Sequence, residues 1–133
     1  MERLRILVVD DHDDFRSGLE ALVSATDSTE LAGTARNGQD AVRIALDLQP
    51  DVVLMDLHMP QLNGIEATKR IRVMEAGQPG RRTPILALTA NTLVEDRYAC
   101  FEAGMDGFLI KPLDREKLEE AIAGLTASRH IAA

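Results

Sequence analysis

One cysteine, no tryptophan, one tyrosine and three histidines in 133 residues leave little from which to build a disulfide scaffold or a zinc centre. Cys100 has no partner for an intramolecular bridge, and His12, His58 and His130 are scattered without metal-ligand spacing. Aromatic residues make up 3% of the chain, and acidic residues outnumber basic ones 22 to 15 for a net charge of -7. That balance has the wrong sign for tracking nucleic-acid phosphates. Long apolar runs are missing too: none approaches the ~20 residues of a membrane span, and the run within MERLRILVVDDHDD is too short for a signal peptide. The expectation is a reduced, cytoplasmic chain with no direct nucleic-acid or membrane partner.

What the chain does contain is 45% apolar residues, enough for one core without covalent staples. One domain over 1–126 is expected, followed by a flexible tail at 127–133. Five short apolar runs read as buried strands: Leu4 to Val9, a weaker Glu30 to Ala35, Asp51 to Met55, Pro84 to Leu88, and Gly107 to Ile110. Between them lie apolar stripes at helical spacing, such as Phe15, Leu19, Leu22 and Val23, then Ala41, Ile44, Ala45 and Leu48, then Leu118, Ala121, Ile122 and Leu125. Asn37-Gly38 opens the second helix, Thr92 with Glu95 fits a capping box, and Gly77 and Gly104 fall where helices should end. GQPGRRT at 77–83 reads as an exposed loop.

Strands alternating with helices call for a parallel sheet, because each parallel connection needs a crossover and a helix supplies it. Right-handed crossovers then favour an α/β, flavodoxin-like (βα)5 doubly wound five-stranded sheet of order 2-1-3-4-5. Ligand chemistry is expected at the carboxyl ends of strands one and three, which lie side by side where the winding reverses.

The residues that follow the apolar runs are Asp10 and Asp11, then Asp56, Thr89 and Lys111. Singly, each has an ordinary explanation as a helix cap, a strand end or a solvated charge. Together, Asp10, Asp11 and Asp56 would repel one another in the expected crevice unless cations lie among them. Lys111 supplies one positive charge, and a hard, oxygen-seeking ion such as Mg²⁺ would neutralise the rest. Such an ion typically bridges carboxylates to phosphate oxygens, so the set suits a phosphoryl group, with Asp56 as nucleophile and Thr89 and Lys111 on the remaining oxygens.

The segments VVDDH, PDVVLMDLHMPQLNGIEATKRIR, PILALTANTLVEDR and AGMDGFLIKPL resemble a response-regulator receiver domain of two-component and phosphorelay signalling, from about Leu4 to Leu125. The resemblance implies that Asp56 is the phosphorylated aspartate, with Asp11 and Asp56 direct Mg²⁺ ligands, Asp10 a ligand through water, and the His58 carbonyl a further ligand. It implies a switch in which the Thr89 hydroxyl moves toward phosphorylated Asp56 and Phe108 turns into the space left. His58 and Asn91 would tune dephosphorylation, and the α4-β5-α5 surface would change for its partners. The donor would be a sensor histidine kinase or a histidine phosphotransfer protein docking near the first helix. A homodimer through the fourth and fifth helices and a cis Lys111-Pro112 bond are family habits that the sequence leaves open. The first half looks like receivers joined to helix-turn-helix transcription factors, the second like receivers of hybrid histidine kinases. The expectation is a switch, with self-catalysed aspartyl phosphorylation and dephosphorylation only, standing alone or as part of a longer chain.

Two rivals need different features. A Mg²⁺-dependent phosphohydrolase would use Asp11-His12-Asp13 as a DxD pair with Asp11 phosphorylated, but it leaves DLHMPQLNG unexplained. A binding module on the same fold would not need the intact set of Asp10, Asp11, Asp56, Thr89 and Lys111, and a flavin phosphate would be repelled by Asp10 to Asp14. Cys100 is expected to pack as a small apolar residue, and Asp13-Asp14 and Arg81-Arg82 to be solvated.

Overall fold

A computed structural model describes residues 3–59, 61–78, 82–89, 94–111 and 113–132, apart from the side chains of 94–96 and 126–132. The elements are β1 (Leu4–Val9), α1 (Asp13–Ala25), β2 (Thr29–Ala35), α2 (Gly38–Leu48), β3 (Val52–Asp56), α3 (Gly64–Ala76), β4 (Ile85–Thr89), α4 (Val94–Ala103), β5 (Gly107–Ile110) and α5 (Arg115–Ala132). All pairings are parallel, in the order β2-β1-β3-β4-β5, as expected from the alternating pattern.

Strand periodicity sorts the core into two layers. Leu7 and Val9, Val53 and Met55, and Ile85 and Ala87 point to one face and pack with Ala41, Ala45, Ala67, Ile71 and Cys100 of α2, α3 and α4. Ile6 and Val8, Val52 and Leu54, and Leu86 and Leu88 point to the other, against Leu19 and Val23 of α1 and Leu118 and Ile122 of α5. Cys100 is thus a buried packing residue.

Helix starts follow local chemistry. Asn37 accepts a hydrogen bond from the Asp40 amide at 2.8 Å, and Asn63 from the Glu66 amide at 2.9 Å, each satisfying a first-turn donor. Past α4, Gly104 takes φ +104°, a conformation open to glycine at little cost. Thr92 and Leu93 lie outside the described residues, as does the side chain of Glu95, so the expected capping box does too. Helix α5 continues to Ala132, through the segment the sequence set apart as a tail.

The strands end slightly later than the apolar runs. Asp56 and Thr89 are the last residues of β3 and β4, because the ladder still pairs Asp56 with Leu88 and Thr89 with Ile110. Their backbones are therefore fixed by the sheet.

Candidate functional site

Four strand ends bring the sequence-predicted residues to one edge: Asp10 and Asp11 just beyond β1, Asp56 closing β3, Thr89 closing β4 and Lys111 just beyond β5. Asp10 is fully buried, and Asp56 and Thr89 are 3% and 4% exposed. Lys111 Nζ donates to Asp10 Oδ2 at 3.0 Å and to Asp56 Oδ1 at 3.4 Å. The ammonium also lies 4.2 Å from the centroid of the Phe15 ring, which limits the rotamers open to its long side chain. Asp10 Oδ1 accepts the His12 amide at 2.8 Å, while Arg16, itself buried, donates to the Asp10 carbonyl at 3.0 Å.

One ammonium does not balance this set. Asp11 Oδ1 and Asp56 Oδ2 are buried oxygens without a hydrogen-bond partner among the described residues, an arrangement that costs free energy unless something binds there. Burial pushes the Asp56 carboxyl above its ordinary pKa, and the neighbouring Asp10 charge adds to this. The Lys111 charge and hydrogen bond, and the His58 amide, pull the other way. Asp10, Asp11, His12 and Asp56 each offer a donor atom, all within 4.8 Å of one another. Mostly oxygen donors, partly unsatisfied and with excess negative charge, fit a hard divalent cation.

The loop after Asp56 is held by close backbone approach. A Cβ on Gly64 would lie 2.2 Å from the Asp56 carbonyl oxygen, and the Gly64 amide donates to the Leu57 carbonyl at 3.1 Å. Only glycine allows α3 to start that near the end of β3, which gives the NG of DLHMPQLNG a steric reason.

Phe108, half-buried in β5, packs against the core face formed with α2, α3 and α4, and the Arg97 guanidinium sits 4.6 Å from its ring centroid. It pairs with Ala87, two residues before Thr89. His58 is exposed. Asn91 and the Lys111-Pro112 bond lie outside the described residues.

Sequence reasoning set His12 aside, yet its ring Nδ1 is 3.1 Å from Asp11 Oδ1 and 3.3 Å from Asp10 Oδ1. It placed Phe15 only in a core stripe and passed over Arg16. Phe15 lies in the first turn of α1, which starts just after the acidic pair, and that closeness in sequence was the available signal for an aromatic residue beside the site. Asp13 is exposed, as expected, and also pairs with Arg16 at 2.6 Å, which holds its carboxyl below the usual aspartate range, first through that hydrogen bond and then through charge. Arg82 likewise pairs with Asp106 at 2.8 Å.

A family model described as response regulator receiver domain matches residues 6–123. The transcriptional regulatory protein YdfI of Bacillus subtilis is 40% identical over 116 residues, covering 86% of this chain and 51% of that protein. A probable histidine kinase 2 of Oryza sativa subsp. indica is 37% identical over 112 residues, covering 76% of this chain and 11% of the kinase. By name, one of these relatives is a transcriptional regulatory protein and the other a probable histidine kinase. Among solved structures, the receiver domain of the histidine kinase CKI1 from Arabidopsis thaliana complexed with Mg²⁺ superposes with a TM-score of 0.83 at 30% identity, covering 92% of this chain and 91% of that one. The chain spans about half the length of the bacterial regulators it matches.

Proposed function

The chain belongs to the response-regulator receiver family of two-component signalling, whose general role is to accept a phosphoryl group, and on that premise we propose that Asp56 is the acceptor. The carrying observation is the state of its carboxylate. Oδ1 is engaged by Lys111, while Oδ2 is buried at the strand end with no partner among the described residues. Held by the ladder and by the close approach of Gly64, that oxygen is pre-positioned to attack phosphorus.

Asp10, Asp11 and Asp56 would hold the divalent ion, with the His58 carbonyl as a further ligand. Mg²⁺ bound there supplies neutralisation of the developing charge on the equatorial phosphoryl oxygens. In the transfer the P–N bond of a phosphohistidine breaks, a P–O bond to Asp56 forms, and the freed imidazole leaves with the partner. Lys111 and the Thr89 hydroxyl bind the phosphoryl oxygens. As Thr89 turns inward, Phe108 follows, and the α4-β5-α5 surface changes; exposed Tyr98, Phe101 and Ile110 on that side give it apolar anchors for a partner. Water attack on the acylphosphate, tuned by His58 and Asn91, resets the switch. The chain is a signalling domain and not an enzyme for an external substrate.

The phosphodonor is a sensor histidine kinase or a histidine phosphotransfer protein. An apolar groove lined by Phe15, Gly18, Leu22 and Leu113 adjoins the site, and Phe15 belongs both to that groove and to the contact with Lys111. No described helix is long and apolar enough to cross a membrane. The rival phosphohydrolase needs Asp11 and Asp13 to act together, whereas Asp13 faces Arg16 and the donor cluster contains Asp56 instead.

Intact-mass analysis after exposure to a small-molecule phosphodonor tests the assignment. A single Mg²⁺-dependent adduct, labile to hydroxylamine and absent from Asp56→Asn, is the expected result. An adduct that persists in Asp56→Asn overturns it.

A further inference from the structure

His12 stands at the N-cap of α1, where a side chain ordinarily accepts a hydrogen bond from the first turn, yet its ring makes no capping bond. The imidazole turns back toward the carboxylates, 67% exposed at the mouth of the site, with Nδ1 3.1 Å from Asp11 Oδ1. That oxygen is one of the two buried acceptors left without a hydrogen-bond partner among the described residues. The donor atoms of Asp10, Asp11, His12 and Asp56 lie within 4.8 Å of one another. Nitrogen and oxygen ligands sit about 2.0–2.2 Å from a small divalent ion, so ligands on one ion are at most roughly 4.4 Å apart and only slight closure is required.

Resting on the reading of this cluster as a metal site, we propose that His12 is a nitrogen ligand that gives the site a preference for imidazole-seeking divalent metals over Mg²⁺. Carboxylates alone suit hard ions, whereas an added imidazole steepens the rise in affinity toward the later first-row metals. The competing role for the same ring is an imidazolium that occupies the place of the cation, and it predicts the opposite sign. Removing a competitor strengthens every metal, while removing a ligand weakens the nitrogen-seeking ones selectively.

Calorimetric titration of the full chain with Mg²⁺ and separately with Ni²⁺ distinguishes the two, using wild type, His12→Ala and Asp11→Asn, with circular dichroism to confirm that each variant is folded. We expect His12→Ala to weaken Ni²⁺ about 10-fold or more, at least what loss of an outer-shell partner costs, and to change Mg²⁺ less than about 2-fold. Asp11→Asn should weaken both. Unchanged Ni²⁺ affinity in His12→Ala, or tighter binding of both metals, overturns the role of His12 while leaving the metal site standing. If neither metal binds wild type, or if binding ignores Asp11→Asn, the metal reading fails and the ligand proposal with it.

Discussion

Where β4 and β5 begin, Arg72 of α3 donates to the Gly104 carbonyl at 2.9 and 2.8 Å, to the Thr83 carbonyl at 2.8 Å, to Glu75 at 2.6 Å and to Asp106 at 3.0 Å. Glu75 in turn accepts the Thr83 amide at 2.7 Å, and Asp106 accepts Arg82 and the Ile85 amide, each at 2.8 Å. Nearby, Asp51 accepts the Arg5 amide at 2.8 Å, and the Arg5 guanidinium donates to the Leu48 carbonyl. At the opposite edge, where the same strands end, Asp10, Asp11 and Asp56 face one Lys111, and two buried carboxylate oxygens lack a hydrogen-bond partner among the described residues. Residues of the same kinds thus tie the elements together at one edge and remain unmatched at the other. Selection for stability alone would match both edges. The imbalance is therefore a capacity to bind, held in place by a sheet whose other end is closed.

The largest effect should come from opening the closed edge. Arg72→Ala leaves buried Glu75 without its guanidinium, and loss of one partner of such a pair costs about 3–5 kcal/mol. Denaturant unfolding measures it, and a cost under about 1 kcal/mol, the range of exposed pairs, would erase the contrast between the edges.

A smaller effect of opposite sign is expected at the unmatched edge. Asp56 has its pKa raised above 3.8 in the folded state, chiefly by burial and next by Asp10. The folded protein therefore holds this proton more tightly than the unfolded chain, and stability is lost as pH rises from the unfolded value through the folded one. Without divalent ions, Asp56→Asn should raise the thermal midpoint by a few degrees at neutral pH, and the gain should disappear below about pH 3.8. Adding Mg²⁺ should stabilise wild type more than the variant. A variant no more stable than wild type at neutral pH would mean that Lys111 already balances the cluster.

The smallest change is expected away from both edges. Arg115 and Glu119 pair at 2.9 Å across one turn of α5 with both side chains about half exposed, and Arg115→Ala should shift stability by less than about 0.5 kcal/mol. A larger loss would show that distance alone, without burial, sets the worth of these pairs.

Strand order and the approach of Asp10, Asp11, Asp56, Thr89 and Lys111 were legible in the chain because both follow from local rules. Short apolar runs alternate with helical stripes, and the residue after each run must emerge at the same edge of a parallel sheet. Asn37 marked the start of the second helix by the same local logic. The Arg72, Glu75 and Asp106 cluster gave no such signal, since charged residues on helices and in turns ordinarily face water. His12 follows Asp10 and Asp11 directly in the chain, but histidines scattered in sequence give no metal spacing, and only the fold brings Asp56 from the end of β3 to the same cluster.

The sequence by itself therefore determined the sheet, its order and the chemical types gathered at its carboxyl edge, because periodicity and connection geometry act over a few residues at a time. Only the tertiary structure decided which charges are answered and which are not. That outcome depends on burial and on distances between groups far apart in the chain, as with Lys111 reaching Asp10 and Asp56, and on the Gly64 backbone pressed against the Asp56 carbonyl. Electrostatic balance is a sum over neighbours in space, and the sum takes its value only once packing has fixed them.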